Sequence, residues 1–294
     1  MKIKKTLIVI AVFIFSFSIG CNSKKTSEYR LLEYQFPENN ELEYKLSNNI
    51  KQNSIITEKN KVHTTTTNTN VTENLYMLGL GLIDDNNFEV EFYVDDINVT
   101  TDDPQIKKDV AKNFSFIANK KYSALVSKKG AVSSVEAIDV IKFPNNPIGQ
   151  YDMRLMYDPG LDIFPSFFFT LPENELKVGE TWSDNTTETY NEKEFKETSH
   201  YEYSYKVSDV VNYKGYSCLK IVGTVKMTVS GQGVDKGSKS GEGTGTRIYY
   251  FAKNEGIIVA SELNGNSRIT QNYPTTKTTI EVTNISFIKF ELVK

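Results

Sequence analysis

Apolar and polar side chains alternate over much of the first half of the chain. Residues 42–50 (LEYKLSNNI) and 88–99 (FEVEFYVDDINV) have period two, residues 61–73 are mostly threonine and asparagine, and residues 75–83 are apolar. A DDNN tetrapeptide separates the apolar run from residue 88. Period two with turn residues in between is typical of antiparallel strands joined by tight turns. The threonine-rich segment predicts a solvated strand, because β-branched side chains restrict rotamers in a helix.

The second half returns to strand patterns after a short helical stretch. Residues 105–119 place apolar side chains four, four and three apart, which fits one face of a helix, and Asp103 is a suitable cap. Further short helices are predicted at residues 137–141 and 150–157. Strands are then predicted at residues 201–211, 216–229, 247–252, 257–263, 267–273 and 278–292. We therefore predict a mainly β fold, with curved antiparallel sheet or sheets in two related halves and short helices at the joint.

An internal repeat supports the division into halves. Residues 122–136 (YSALVSKKGAVSSVE) match residues 248–262 (IYYFAKNEGIIVASE) when Gly130 is aligned with Gly256. Each passage reads as strand, basic or polar turn, glycine, and strand ending in glutamate. Glycine suits a hairpin turn that needs a positive φ. Any two hairpins share part of this pattern, and a duplicated β unit is the interpretation we favour.

The joint between the halves is rich in aromatic residues. We divide the chain into a first β half at residues 38–163, an aromatic joint at 164–182 (FPSFFFTLPENELKVGETW), and a second β half at 183–294. These side chains predict either a filled β core or an apolar groove for an acyl chain, because ligand pockets are mostly apolar with few polar groups. The candidate ligand-binding residues are Met153, Met156, Phe164, Phe167, Phe168, Phe169 and Trp182.

The first residues have the composition of an export signal. Residues 1–20 begin with three lysines in five positions, continue with an apolar run, and end in Ser-Ile-Gly before Cys21. This arrangement resembles a bacterial lipoprotein signal, although Ser18 stands where an aliphatic residue is usual. An ordinary signal peptide with an incidental cysteine is the alternative. Residues 21–37 are then expected to be a flexible tether.

The lipoprotein resemblance implies a location. It implies cleavage before Cys21, acylation of that cysteine with a fatty acid such as palmitate, and attachment to a membrane of the bacterial cell envelope through the lipid. Asn22 implies the outer membrane if the cell has two membranes.

Charge narrows the choice of partners. Removing the signal changes the formal charge from −3 to −6, and no basic stripe is present. The charge therefore argues against nucleic acid and against anionic membrane surfaces as partners.

Residues for catalysis are scarce. His63 and His200 are the two histidines, no GxSxG or phosphate-loop motif occurs, and the acidic pairs do not form an alternating calcium loop. Cys218 lies in an alternating segment and is expected to be a buried core residue. We expect no enzyme activity, no catalytic residue, no metal site and no cofactor.

The combination of features resembles one family. The lipoprotein signal, threonine-rich strands, strand–KxG–strand hairpin and the LPENELKVGETW segment are similar to a family of uncharacterised bacterial surface lipoproteins, a domain of unknown function. In architecture alone, the curved sheet resembles the half-barrels of lipoprotein carriers. The family resemblance implies no established activity and no catalytic residue. From the aromatic joint and the scarcity of catalytic groups, we predict a non-enzymatic cell-envelope protein that binds a hydrophobic small molecule such as lipid. The alternative is a structural or adhesive surface lipoprotein acting through protein partners that the sequence does not identify.

Overall fold

The computed structural model describes residues 31–38, 40–104, 107–108, 115, 117–139, 164–192, 195–233 and 237–293. Residues 1–30, which include the expected signal and Cys21, lie outside the described residues, as do Met153 and Met156. The strands of the described part are β1 (Glu41–Glu58), β2 (Lys61–Leu82), β3 (Asn87–Thr101), β4 (Tyr122–Ser127), β5 (Val132–Ala137), β6 (Thr181–Glu192), β7 (Phe195–Tyr213), β8 (Tyr216–Gly233), β9 (Ser238–Ala252), β10 (Ile257–Tyr273) and β11 (Thr278–Leu292).

All of these strands belong to one curved antiparallel sheet, which confirms the predicted fold class. The strand order is β5-β4-β3-β2-β1-β11-β10-β9-β8-β7-β6. The chain therefore starts in the middle of the sheet and moves outward to the β5 edge. It continues at the opposite edge with β6 and returns inward until β11 pairs with β1. The first and second halves of the chain thus form the two halves of one sheet.

The strands are longer than the sequence segments suggested. The threonine-rich segment and the apolar run that follows it form the single 22-residue strand β2. At about 3.3 Å per residue such a strand spans roughly 70 Å. Buried and exposed positions alternate along its second part, from Thr69 to Gly81. One face of the sheet therefore carries the core, and we call it the inward face.

The segment before β1 packs against the core. Leu32, Tyr34 and Phe36 are buried, with 7%, 1% and 6% of their surface exposed. The backbone N–H of Tyr34 donates to Lys128 O at 2.7 Å, and that of Gln35 donates to Gly256 O at 2.9 Å. Residues 32–36 thus bridge the β4–β5 and β9–β10 turns. The packed part of the chain therefore already includes residues 32–36, which precede the boundary predicted at residue 38.

Helix makes up little of the described chain. In the helix predicted at residues 105–119, the described residues 107, 108, 115 and 117 are helical. Lys107 N–H donates to Asp103 O at 3.0 Å, which fits the predicted cap. The helix predicted at 137–141 is wrong at its start, because Ala137 ends β5 and residues 138–139 form a bend. The helix predicted at 150–157 lies outside the described residues. Phe164–Phe167 forms one helical turn.

Candidate functional site

Residues 164–171, which we call the aromatic segment, lie on the inward face of the sheet. Phe164 stacks on Phe92 of β3, with ring centroids 3.9 Å apart and planes 6° apart. Phe167 packs edge-on against Tyr44 of β1 at 4.6 Å and Phe290 of β11 at 5.4 Å. The helical turn that opens the segment therefore projects its rings onto strands from both halves of the sheet.

The next two phenylalanines complete the cluster. Phe168 packs edge-on against Tyr34 at 5.4 Å and Phe36 at 5.9 Å. Phe169 lies 4.4 Å from the ring of Tyr249 on β9. Edge-to-face and offset geometries are the favourable arrangements for aromatic pairs. The aromatic segment and residues 32–36 thus form one continuous apolar layer over the sheet.

Side-chain hydrogen bonds hold the aromatic segment at three points, and the backbone N–H of Leu171 also donates to Lys129 O at 2.8 Å. The Tyr34 hydroxyl donates to Phe169 O at 3.0 Å and accepts from Phe169 N–H at 3.2 Å. The indole Nε1–H of Trp182 donates to Thr170 O at 2.9 Å. Arg247 Nη1–H donates to Ser166 O at 2.5 Å. Backbone groups that lie outside any strand are therefore satisfied by side chains.

The structure brings the described ligand candidates into one cluster. Phe164, Phe167, Phe168 and Phe169 are at most 2% exposed. Trp182 is half-buried at the start of β6, stacked on Tyr205 at 5.0 Å. The rings therefore occupy the space that an acyl chain would need. Ligand binding by these residues stays a prediction.

Two voids border the described part of the sheet. One of about 10 Å³, close to the size of one water molecule, lies beside Arg247, Tyr203 and Tyr205. The other, of about 660 Å³, is an open groove lined mainly by asparagine, threonine and isoleucine of β1, β2, β3, β10 and β11. Neither void is an apolar pocket of acyl-chain size.

Arg247 is a site residue that sequence reasoning missed. It lies on the inward face of β9 with 4% of its surface exposed. Its Nε–H donates to Ser261 Oγ at 2.7 Å, and its guanidinium carbon lies 4.8 Å from the Tyr249 ring centroid. Its position in the sequence could have identified it. In TRIYYF, Arg247 is two and four residues before Tyr249 and Phe251, so all three side chains point to the same face of the strand. A charged residue on the apolar side of a strand indicates a specific role.

Burial shifts the ionisation of the tyrosines around this cluster. Removal from water raises the pKa of Tyr34 and of Tyr205 well above the ordinary value, because the phenolate form would be poorly solvated. It raises the pKa of Tyr249 in the same way, while the nearby Arg247 charge acts in the opposite direction. These hydroxyls therefore stay protonated at neutral pH and act as hydrogen-bonding groups.

Other groups considered for chemistry are placed as follows. Cys218 is fully buried, and its burial raises the thiol pKa to about 11. His63 is exposed on β2, and His200 pairs with Thr187 at 2.9 Å. Among the described residues, no group of three or more His, Cys, Asp or Glu is positioned to hold a metal ion. None of the described helices is long and apolar enough to span a membrane.

Comparisons with known proteins give distant structural likenesses. No family model matches the sequence, and no curated protein matches it. A DUF1329 family protein from Desulfovibrio piger aligns at 9% identity over 81% of this chain and 83% of that chain, with a TM-score of 0.18. Ail, the attachment invasion locus protein of Yersinia pestis, aligns at 8% identity over 85% and 98%, with a TM-score of 0.16. The outer membrane protein opdK from Pseudomonas aeruginosa aligns at 6% over 87% and 99%, with a TM-score of 0.23. At TM-scores this low the likenesses support no conclusion about this chain.

Proposed function

We propose that this chain is a non-enzymatic, lipid-anchored protein of the bacterial cell envelope that holds a hydrophobic ligand such as lipid on the inward face of its sheet. The observation that carries the proposal is that short segments outside the strands cover this face. In the described part, residues 32–36 and the aromatic segment lie over its apolar end, and neither belongs to a strand. A short segment held by a few side-chain hydrogen bonds is easier to displace than a second sheet. The aromatic segment is therefore proposed as a gate.

The free energies of burial indicate how long an acyl chain must be to displace the aromatic segment. Burying four phenylalanine side chains stabilises the closed form by roughly 6–12 kcal/mol, at about 1.5–3 kcal/mol each. A sixteen-carbon chain gains roughly 12 kcal/mol at about 0.8 kcal/mol per methylene, and an eight-carbon chain gains about half of that. A long acyl chain therefore offsets the loss of the phenylalanine contacts over this whole range, whereas a short one reaches only its lower end.

Ligand binding is tested on the full chain carrying Cys21→Ala, stripped of lipid. The full chain is needed because residues 32–36 are part of the core. Hexadecanol delivered from cyclodextrin should change the fluorescence of Trp182, the one tryptophan of the chain, because displacement breaks its bond to Thr170 O. Octanol should not change it.

A second experiment distinguishes a displaceable gate from a fixed core. Phe168→Ala weakens the closed form and should raise the apparent affinity for hexadecanol at least tenfold, because the competent state becomes more populated. Val178→Ala, in the exposed part of the joint at 53% exposure, should leave the affinity unchanged. Absence of binding by the parent chain and by Phe168→Ala would show that the cluster is only a core.

The anchor is proposed from the residues before Cys21. A cysteine acylated after export should carry the chain into the detergent phase of a temperature-induced phase separation. Cys21→Ala should move the chain to the aqueous phase. The substitution removes the residue that carries the acyl chain, and we propose that the acyl chain alone holds the protein at the membrane. A substituted chain that still partitions with detergent would contradict the lipoprotein proposal.

A second candidate function is favoured by one exposed surface. Leu80, Leu82 and Ile83, where β2 turns into β3, are 50%, 50% and 53% exposed. Adjacent exposed apolar residues are typical of protein contact sites. This surface supports the alternative of a structural or adhesive protein that acts through protein partners. Loss of a partner with Leu82→Ser, together with absence of lipid binding, would favour it.

A further inference from the structure

Arg247 carries a buried positive charge, and among the described residues none of the ion pairs includes it. A guanidinium does not lose its proton under ordinary conditions, so burial leaves it charged. Buried charges in proteins are normally paired, because an uncompensated one is costly. The site is therefore electrostatically suited to an anion.

The two terminal nitrogens of Arg247 are in different states. Nη1–H donates to Ser166 O of the aromatic segment. Nη2 is buried and makes no hydrogen bond of good geometry, and the Tyr249 hydroxyl is a side-chain group that interacts with the same guanidinium. The void of about 10 Å³ lies beside this side chain and is lined also by Tyr203, Tyr205, Gly223, Val225 and Leu263. Nη1 therefore binds the aromatic segment, and Nη2 remains available as a hydrogen-bond donor.

Withdrawal of the aromatic segment changes what Arg247 offers. When Ser166 O leaves, Nη1 and Nη2 become two neighbouring donors in one plane, the geometry that binds a carboxylate through both oxygens. A carboxylate would also supply the missing negative charge. The bond to Ser166 O already has an ionised donor, whereas a carboxylate makes both partners ionised and can engage both terminal nitrogens at once.

We propose that Arg247 binds the carboxylate of a long-chain fatty acid whose hydrocarbon chain takes the place of the phenylalanine rings. This inference rests on the proposed function and specifies its ligand class. The carboxylate replaces Ser166 O at Nη1 and supplies Nη2 with the acceptor that it lacks. The Tyr203 and Tyr205 rings and the apolar side chains of the void surround the head group.

The test compares palmitate with hexadecanol, which has the same chain length and no charge. Both are titrated into the lipid-free Cys21→Ala full chain near neutral pH, with Trp182 fluorescence as the signal. We expect palmitate to bind at least tenfold more tightly. Arg247→Met should remove this preference while hexadecanol binding remains, and Arg247→Lys should retain part of it.

Two controls separate the possible causes. Arg268→Met removes an arginine from the neighbouring strand β10, where it is exposed and paired with Glu281, and should leave the preference intact. The second control is acetate in large excess, which should not compete with palmitate if the hydrocarbon chain is required. Competition by acetate would show a general anion site and would overturn the fatty-acid proposal.

The outcomes distinguish the two proposals. Equal affinities for palmitate and hexadecanol in the parent chain, or a preference that survives Arg247→Met, would overturn the role of Arg247 and leave the hydrophobic site standing. Binding of neither ligand would overturn both. If Arg247→Met does not fold, the parent comparison and Arg247→Lys still decide the question.

Discussion

Gly130 and Gly256 lie at two hairpin turns that approach the same segment, residues 32–36. Both have the predicted positive φ, 90° and 70°. A Cβ on Gly130 would lie 2.4 Å from Tyr34 Cε2 and 2.5 Å from Phe169 O. A Cβ on Gly256 would lie 2.6 Å from Glu33 O. Each turn therefore lacks a side chain for two reasons, its backbone conformation and the close approach of residues 32–36.

Alanine substitutions should separate these two reasons. Gly130→Ala and Gly256→Ala should each lower the free energy of unfolding by about 2–5 kcal/mol, from about 1–2 for the backbone and about 1–3 for overpacking. Gly215 has φ of 88° with nothing within 4 Å of an added Cβ, so Gly215→Ala should cost only the backbone part. Urea unfolding of the three variants measures the difference. Equal costs would mean that residues 32–36 do not press on the two turns.

The elements differ in how far the sequence predicts them. Strands with period two were predictable, because burial on one face leaves an alternating pattern, as in β3 and β8. The turn before β3 was also predictable, since Asp84 Oδ1 accepts from the N–H groups of Asn86 and Asn87 at 2.7 and 2.8 Å. Local sequence was sufficient in these cases because the interactions are local.

The parts that sequence did not predict depend on distant contacts. Residues 32–36 (LEYQF) alternate apolar and polar side chains, but five residues that end at Pro37 are too short a run to be distinguished from a tether. Tyr34 is buried by partners such as Phe169, 135 positions away. The role of Arg247 likewise depends on Ser166, 81 positions away. The aromatic content of the joint is visible in the sequence, but whether its rings fill the interior depends on packing against β1, β3, β9 and β11.

At the scale of the whole molecule, the core is unusually rich in tyrosine. The chain has 17 tyrosines, and several occupy inward positions on strands of both halves. Burial raises the pKa of these hydroxyls above the ordinary value of about 10. The group comprises Tyr34, Tyr44, Tyr203, Tyr205 and Tyr249. Their protonation therefore couples the stability of the sheet to alkaline pH.

The sign of the coupling follows from which state binds more protons. Above about pH 10 the unfolded chain loses its tyrosine protons, whereas the folded chain keeps those of the buried group. The native state then binds more protons, so stability is fully present below about pH 10 and falls as the pH rises further. Each such tyrosine contributes a loss of about 1.4 kcal/mol per pH unit. The thiol of Cys218 adds a loss of the same sign.

Thermal unfolding followed by circular dichroism from about pH 8 to about pH 11.5 should show a melting temperature that is nearly constant and then drops steeply above about pH 10. Tyr44→Phe removes one buried titrating group, so its free energy of unfolding should fall by about 1.4 kcal/mol per pH unit less than that of the parent. Absorbance at the phenolate band should rise in two stages, with the buried group ionising only as the β signal is lost. Ionisation of every tyrosine while the β signal persists would show that water reaches the inward face, and that the aromatic layer does not seal the core.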